Sequence, residues 1–415
     1  MNDYIIIFFF TIGNYINYID RSMTATLFPV FTEKFNYSKT ELGLISSLFL
    51  VGYITASIFF CSVSTRFKMS KLLTMGSVLM LISSFLMCLE VKSLIYLARI
   101  LSGVGEAAYQ SLIPAYIDNT FSKQKTPLFL SLFFSGIYVG TSLGIILGGF
   151  ITHNYKIGYV IECILMSIMI LFFLIYDRHE IFLTGYENLE SIKKKIKTIF
   201  KNGIWWAVTI SYAFFTFTIG AINTWLPTYI KSSFPEIDYE KSQIELGLVF
   251  LFASLAGGII LSYPIKFCMK RNQEDLTKLN ALFSNIYLIV SIFPLIFGLY
   301  LKVKWNIFLF IVFLFIFSVT GTSLPINWLI LNIIPENCKN YSISLSIAVI
   351  HIIGDIPSPI IVGKIWDYTE DSSLALKYSL LGIIISIIII SMVTYKLYIA
   401  NYYIYTPLIT NYENT

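Results

Sequence analysis

Hydrophobic residues arrive in long unbroken runs, neither in the alternation of a half-buried strand nor in the one-sided stripe of a surface helix. Runs bounded by charge or turn residues fall at about 4–31, 40–63, 70–88, 93–117, 127–152 and 158–176. A second set falls at about 204–230, 242–265, 279–301, 305–334, 341–364 and 374–397. Each offers the roughly 20 mostly apolar residues that a helix needs to cross a bilayer. The pattern predicts an all-α integral membrane protein with twelve transmembrane helices in two six-helix bundles. Residues 1–176 form the first bundle, 177–203 a cytoplasmic linker, 204–398 the second bundle and 399–415 a cytoplasmic tail. Paired six-helix halves are the internal repeats of large secondary transporters, whose substrate site lies near midplane between them.

Composition agrees with the pattern. Hydrophobic residues make up 56% of the 415 and charged residues 13%, against roughly 25% charged in a soluble domain. That excludes a soluble multidomain enzyme, a disordered chain and a disulfide scaffold. The net charge of +5 is too mild to point to nucleic acid. Five cysteines scattered through apolar runs read as small hydrophobes. Three histidines outside any box argue against a membrane metalloenzyme, so no metal and no catalytic residue is expected. The start Met-Asn-Asp has no basic leader region and reads as a retained first helix.

The few charges then sort by place. With both termini cytoplasmic, 17 Lys and Arg fall on the cytoplasmic side and 10 on the other, the bias that cytoplasmic loops show. In the linker, Ile192, Ile196, Ile199 and Phe200 alternate with Lys193, Lys194, Lys195, Lys197 and Lys201. This suits either a helix lying on an anionic membrane surface or a solvated loop. Inside the helices remain Arg21 and Arg99, with Asp20, Glu106 and Asp355, while Glu162 falls near a helix end. Intramembrane charges cost from a few to more than about 10 kcal/mol and mark cavities or partners.

Depth pairs them. At about 1.5 Å per residue, Asp20 lies about 24 Å along the first helix from its cytoplasmic end. Arg99 lies about 27 Å from the cytoplasmic end of the antiparallel fourth helix, so the two can meet. Glu106, seven residues on, shares the face of Arg99 two turns away. The expectation is a ladder of Asp20, Arg99 and Glu106 on one aqueous cavity. Glu106 has no evident cation at its level, and a carboxyl so placed suits proton binding and release. The alternative is a static bridge locking two helices. His351 and Asp355, at i and i+4, share a face and read either as a proton relay or as a pair fixing the helix. Gly136, Gly140, Gly144 and Gly148 form a stripe against which another helix packs closely. Trp225 and Trp328, near Pro227 and Pro325, read first as anchors or kinks.

Several strings resemble the Spinster branch of the major facilitator superfamily. They are NYIDR (Asn17–Arg21), LFP (Leu27–Pro29), ARILSGVGEAAYQSLIPAYIDNTF (Ala98–Phe121), the glycine stripe, TIGAINTWLPTYI (Thr218–Ile230), Asn327-Trp328 and HIIGDIPSPIIVGKIWD (His351–Asp367). The resemblance implies a proton-coupled transporter of lysophospholipids or related single-chain sphingolipids, working by alternating access as a monomer. Its partners would be the lipid, protons and the surrounding membrane lipids, with a proton gradient in place of a cofactor. Asp20 and Glu106 would couple protons, and Arg99 and Arg21 would hold the headgroup. Tyr109, Trp225, Asn327, His351 and Asp355 are candidate substrate contacts. Where the superfamily's loop between helices 2 and 3 carries an Asp, this chain has Thr65, which would weaken the charge latch there. Tyr405-Thr-Pro-Leu408 resembles a lysosomal or endosomal sorting signal, pointing to a lysosomal, endosomal or vacuolar membrane before a plasma membrane. Other readings are a carrier of a small polar metabolite or organic anion, and a sensor on the same scaffold. A lipid enzyme lacks the nucleophile, His box or metal cluster it would need.

Overall fold

The computed structural model describes residues 3–64, 66–175, 189–271 and 276–399. The first half contains α1 (Asp3–Thr26), α2 (Lys39–Val63), α3 (Met69–Met87), α4 (Lys92–Thr120), α5 (Thr126–Phe150) and α6 (Lys156–Ile175). The second contains α7 (Gly203–Ser233), α8 (Tyr239–Ile265), α9 (Leu276–Tyr300), α10 (Trp305–Asn332), α11 (Tyr341–Thr369) and α12 (Ser372–Tyr398). Among the described residues ten of these are long and apolar enough to span a membrane. The other two, α1 and α4, have 24 and 29 residues and the length to do so. They fall short in apolarity because they carry Asp20, Arg21, Arg99 and Glu106. Leu171, Phe252, Ile259 and Phe310 are among many large apolar side chains that face outward. Their exposure fits a lipid solvent, since hydrocarbon sets no premium on hiding them.

Local chemistry sets the boundaries. The predicted run 4–31 is broken at Leu27, because Pro29 starts a separate short helix, Phe28–Phe35, with proline in its first turn. Helix α5 is interrupted at Ser135. Asn202 caps α7, its side chain accepting from the N–H groups of Ile204 and Trp205 at 3.0 Å each. In α11 the residues His351–Asp355 form a π-helical turn. Pro357 supplies the cause. It lacks an N–H and its ring presses on the carbonyl four residues earlier, so the ladder relaxes by one residue. The Ile356 N–H accordingly donates to the His351 carbonyl at 3.0 Å.

The linker helix, Leu189–Phe200, turns Lys193, Lys194 and Lys197 outward and buries Ile199 completely in the core of the second half. Lys195 stacks its ammonium 5.4 Å from the Tyr341 ring of α11. Thr65, the whole of the linker before Leu189 and the tail with Tyr405–Leu408 lie outside the described residues.

The halves meet at the end remote from the termini, where α2 packs on α11 and α5 on α8. A Cβ on Gly43 would sit 2.3 Å from the Pro359 carbonyl oxygen, and one on Gly363 would sit 2.4 Å from that of Lys39. Only glycine permits backbones this close. Asp367 of α11 accepts from the N–H groups of Lys39 and Thr40 at 2.8 and 2.7 Å and from the Thr40 hydroxyl at 2.6 Å. It thereby caps the N-terminus of α2 from the opposite half, next to the capping box of Ser38 and Glu41. Lys231 pairs with Glu33 at 2.5 Å, and the Tyr239 hydroxyl donates to the Thr26 carbonyl at 2.7 Å. At the same end, Lys156 and Lys34 hold the Glu90 carboxyl below the usual carboxylate range.

If Asp367 keeps this end shut, removing it loosens the closure by about a cap's worth, roughly 0.5–2 kcal/mol. Ser47, fully buried in the seam, reports it. In a Ser47→Cys background, Asp367→Ala should speed maleimide labelling about fivefold. An unchanged rate would place the closure elsewhere.

Candidate functional site

The site begins with α1. A Cβ on Gly144 of α5 would meet the Ser22 hydroxyl at 2.0 Å and the Ile19 carbonyl at 2.5 Å, and Gly140 and Gly148 approach α1 in the same way. The glycine stripe therefore seats α1 against α5 and fixes the rotation of Asp20 and Arg21. These two are about 100° apart round the helix.

Asp20 and Arg99 meet inside the first half. Arg99 Nη1 donates to both Asp20 oxygens at 2.9 and 2.7 Å, and the Ser102 hydroxyl donates to Oδ2 at 2.6 Å. Their side chains are 3% and 1% exposed. A headgroup cannot reach Arg99 there, which corrects the expectation that it holds one. Three donated bonds and full burial make it a fixed pair.

Glu106 is not without a cation. Arg21 Nη2 donates to its Oε1 at 2.8 Å, with Arg21 34% and Glu106 1% exposed. The reason is directional. Side chains on a helix slant toward its N-terminus, and α1 and α4 are antiparallel. Arg21 therefore reaches back along α1 toward the level of Glu106, while Glu106 leans toward Arg21. Counting depth from Cα positions alone misses this. The expected ladder is instead two crossed pairs: Asp20 with Arg99, buried, and Glu106 with Arg21, open on the arginine side. Oε2 of Glu106 is buried and has no partner among the protein groups described.

Across the midplane, His351 Nδ1 lies 2.6 Å from Asp355 Oδ2, each about one-fifth exposed. The Tyr53 ring of α2 meets the His351 ring edge-on at 5.8 Å, and Asp355 lies within electrostatic reach of Arg21. The π-helical turn sets both side chains toward the first half. Asn327 is exposed, with its amide 3.4 Å from the Tyr212 hydroxyl. With the remote end closed, these polar groups are reached from the side of the termini.

Two candidates are corrected. Trp225 is fully buried between α7 and α11, its indole N–H donating to the Pro359 carbonyl at 3.0 Å. Tyr109 is fully buried in the core of the first half, its hydroxyl 2.6 Å from that of Ser77. Both are packing residues here and neither lines the cavity. Sequence reasoning also missed Ser102, three residues after Arg99 on the same face, a spacing that could have found it. Glu162, six residues from the start of α6, is 5% exposed, with Asp20 and Arg99 in electrostatic reach.

With this geometry in place, the likeness to known proteins is specific. The family model of the Major Facilitator Superfamily matches residues 10–362. The probable sphingolipid transporter spinster homolog 1 of Arabidopsis thaliana is 25% identical over 417 residues, covering 86% of this chain and 82% of its own. The sphingosine-1-phosphate transporter SPNS2 of Danio rerio is 23% identical, covering 87% and 75%. Among solved structures, a bacterial homolog of the human lysosomal transporter Spinster, inward-facing and unoccupied, superposes with a TM-score of 0.79 at 12% identity, over 95% of this chain and 98% of its own. The fold is therefore that of these transporters.

A fixed buried pair should be costly to break and cheap to replace whole. Asp20→Ala should lower stability by about 3–5 kcal/mol in denaturant titrations in detergent, because it strands Arg99. Asp20→Leu combined with Arg99→Met should recover most of that loss. A double variant as unstable as the single one would mean that the pair itself stabilises the fold.

Proposed function

Because the chain belongs to the major facilitator superfamily, a class of membrane transporters, we propose that it moves a lysophospholipid or related single-chain sphingolipid by alternating access, driven by protons. The observation that carries the reading is the Arg21–Glu106 pair, closed on the carboxylate side and open on the guanidinium side. A phosphate headgroup offers the planar guanidinium of Arg21 a charge-assisted oxygen acceptor, as Glu106 does. The two acceptors compete for one cation. When Glu106 takes a proton it no longer holds Arg21, which turns to the phosphate. When the lipid leaves, Arg21 returns and Glu106 gives its proton up.

His351 and Asp355 complete the site from the second half, offering an imidazole to the phosphate and a carboxylate to an amine. Closing the halves around the headgroup brings these groups toward Arg21, while the acyl chain stays among apolar side chains facing the bilayer. Asp20 and Arg99 hold α1 on α4 so that Arg21 and Glu106 keep their register. Asp20 thus serves the coupling by position, and the proton is carried by Glu106. The relatives named as sphingolipid and sphingosine-1-phosphate transporters support a single-chain lipid as cargo. The excess of Lys and Arg on the side of the termini supports a cytoplasmic placement for them. A lysosomal or endosomal membrane would then set acid against the end closed by Asp367.

Uptake into proteoliposomes tests this. Radiolabelled lysophosphatidylcholine and sphingosine-1-phosphate should enter faster with an imposed pH gradient than without it. Arg21→Ala should weaken lipid binding roughly 10- to 100-fold, the worth of a charged hydrogen bond. Glu106→Gln should leave exchange of lipid but abolish the response to the gradient. No uptake of either lipid beside clear uptake of a sugar would overturn the reading.

A further inference from the structure

We propose that Phe49 is a positioning residue that ties the two ion pairs to the closure of the halves. The proposal rests on the proton-coupled reading and names a part of its machinery that no charge marks. Phe49 lies on α2 and is 1% exposed. A Cβ on Gly103 of α4 would come within 1.9 Å of the Phe49 carbonyl oxygen, and one on Gly52 within 2.3 Å of that of Ile100. The two helices are in backbone contact there, and the contact seats the phenyl ring among the charges of α1 and α4. The Arg21 guanidinium carbon lies 4.5 Å from the ring centroid and that of Arg99 lies 5.0 Å from it. One ring thus faces both cations of the site, the arrangement in which a π-face attracts guanidinium. In both arginines Nε has no acceptor among the protein groups described. The carboxylates hold the guanidinium ends, and the ring holds their planes.

The same helix carries the seam. Ser47 donates to the Ile356 carbonyl of α11 at 2.6 Å, and Gly43 lies against Pro359. Phe49 follows Ser47 by two residues, about 200° round the helix, so the seam and the ion pairs occupy opposite faces of α2. When α2 parts from α11, the ring stays with α1 and α4, while Asp355 of α11, the second-half group facing Arg21, departs. Arg99 keeps its bonds to Asp20, which is itself held by Ser102. Arg21, one-third exposed and bound by one nitrogen, is the cation that is freed. The charged and titratable groups facing Arg21 are Glu106 from α4, Tyr18 from α1, Tyr53 from α2 and Asp355 from α11. Those facing Glu106 include Arg21, Asp20, Arg99 and His351. Against this set, the ring biases Arg21 toward Glu106 while the remote end is closed. It also keeps each arginine with its own carboxylate.

Spin labels at the terminal-side ends of the two halves, in nanodiscs without substrate, test the proposal apart from the identity of the cargo. The wild-type distance distribution should change between acid and neutral pH. A carboxylate with a weaker hold on its cation keeps its proton to higher pH. Phe49→Leu and Phe49→Met, which keep bulk but lose the π-face, should therefore raise the midpoint by about half to one pH unit. Phe49→Tyr should restore it. If either aliphatic variant folds with the wild-type midpoint, or the Tyr variant is displaced as far as the Leu variant, Phe49 is packing alone and the proposal falls. If the wild-type distribution ignores pH, the proton-coupled reading fails as well, an outcome distinct from a wild type that responds and variants that match it.

Discussion

Four charges placed at the depth of the hydrocarbon core have to be neutralised within the protein, and the first half is organised by that need. A lone charge there costs at least several kcal/mol, more than one helix contact returns. Asp20 must therefore find Arg99, and Glu106 must find Arg21, so α1 and α4 must lie within side-chain reach in a fixed rotation. The glycines of α5 supply the rotation by letting α1 sit on bare backbone. Gly52 and Gly103 do the same for α2 and α4. Burial of the pairs thus dictates where side chains have to be absent.

The contacts between the halves follow a different rule. Among the described residues, none of those at the remote end is a deeply buried charge pair. They are hydrogen bonds that Asp367 accepts from one helix end and Tyr239 donates to another, an exposed bridge between Lys231 and Glu33, and glycine-to-backbone seams. Each can be exchanged for water at modest cost, which suits a closure that has to open. The strong interactions lie within a half and the exchangeable ones between halves. The Arg21–Glu106 pair lies within a half and is still exchangeable, since Glu106 is sealed and Arg21 is one-third exposed. That asymmetry is what makes the pair the natural place for a proton and a headgroup to compete.

The legible parts of the site were those that depend on depth and spacing alone. Counting residues from helix ends placed Asp20 level with Arg99, and the i, i+4 spacing placed His351 beside Asp355. Glu106 was assigned to the site but given no partner, because the count ignored the slant of side chains toward helix N-termini. Trp225 and Tyr109 entered through resemblance of whole strings, and a string cannot show which face its residues turn to a cavity. Phe49 carries no mark among 35 phenylalanines. Asp367, last in its string, gave no sign that it would cap a helix in the other half.

By itself the sequence determined the solvent, the succession of apolar helices and their approximate limits apart from the break at Leu27, and the few residues whose burial needs an explanation. Those properties are additive along the chain: hydrophobicity sums over a run, and helical rise turns a residue number into a depth. Only the tertiary structure decided who pairs with whom, which arginine is sealed and which is open, and which end of the molecule is closed. These depend on helix rotation and side-chain direction, which are set by backbone-to-backbone contact at glycines between helices far apart in sequence. A carboxylate's partner in this protein is a property of that packing.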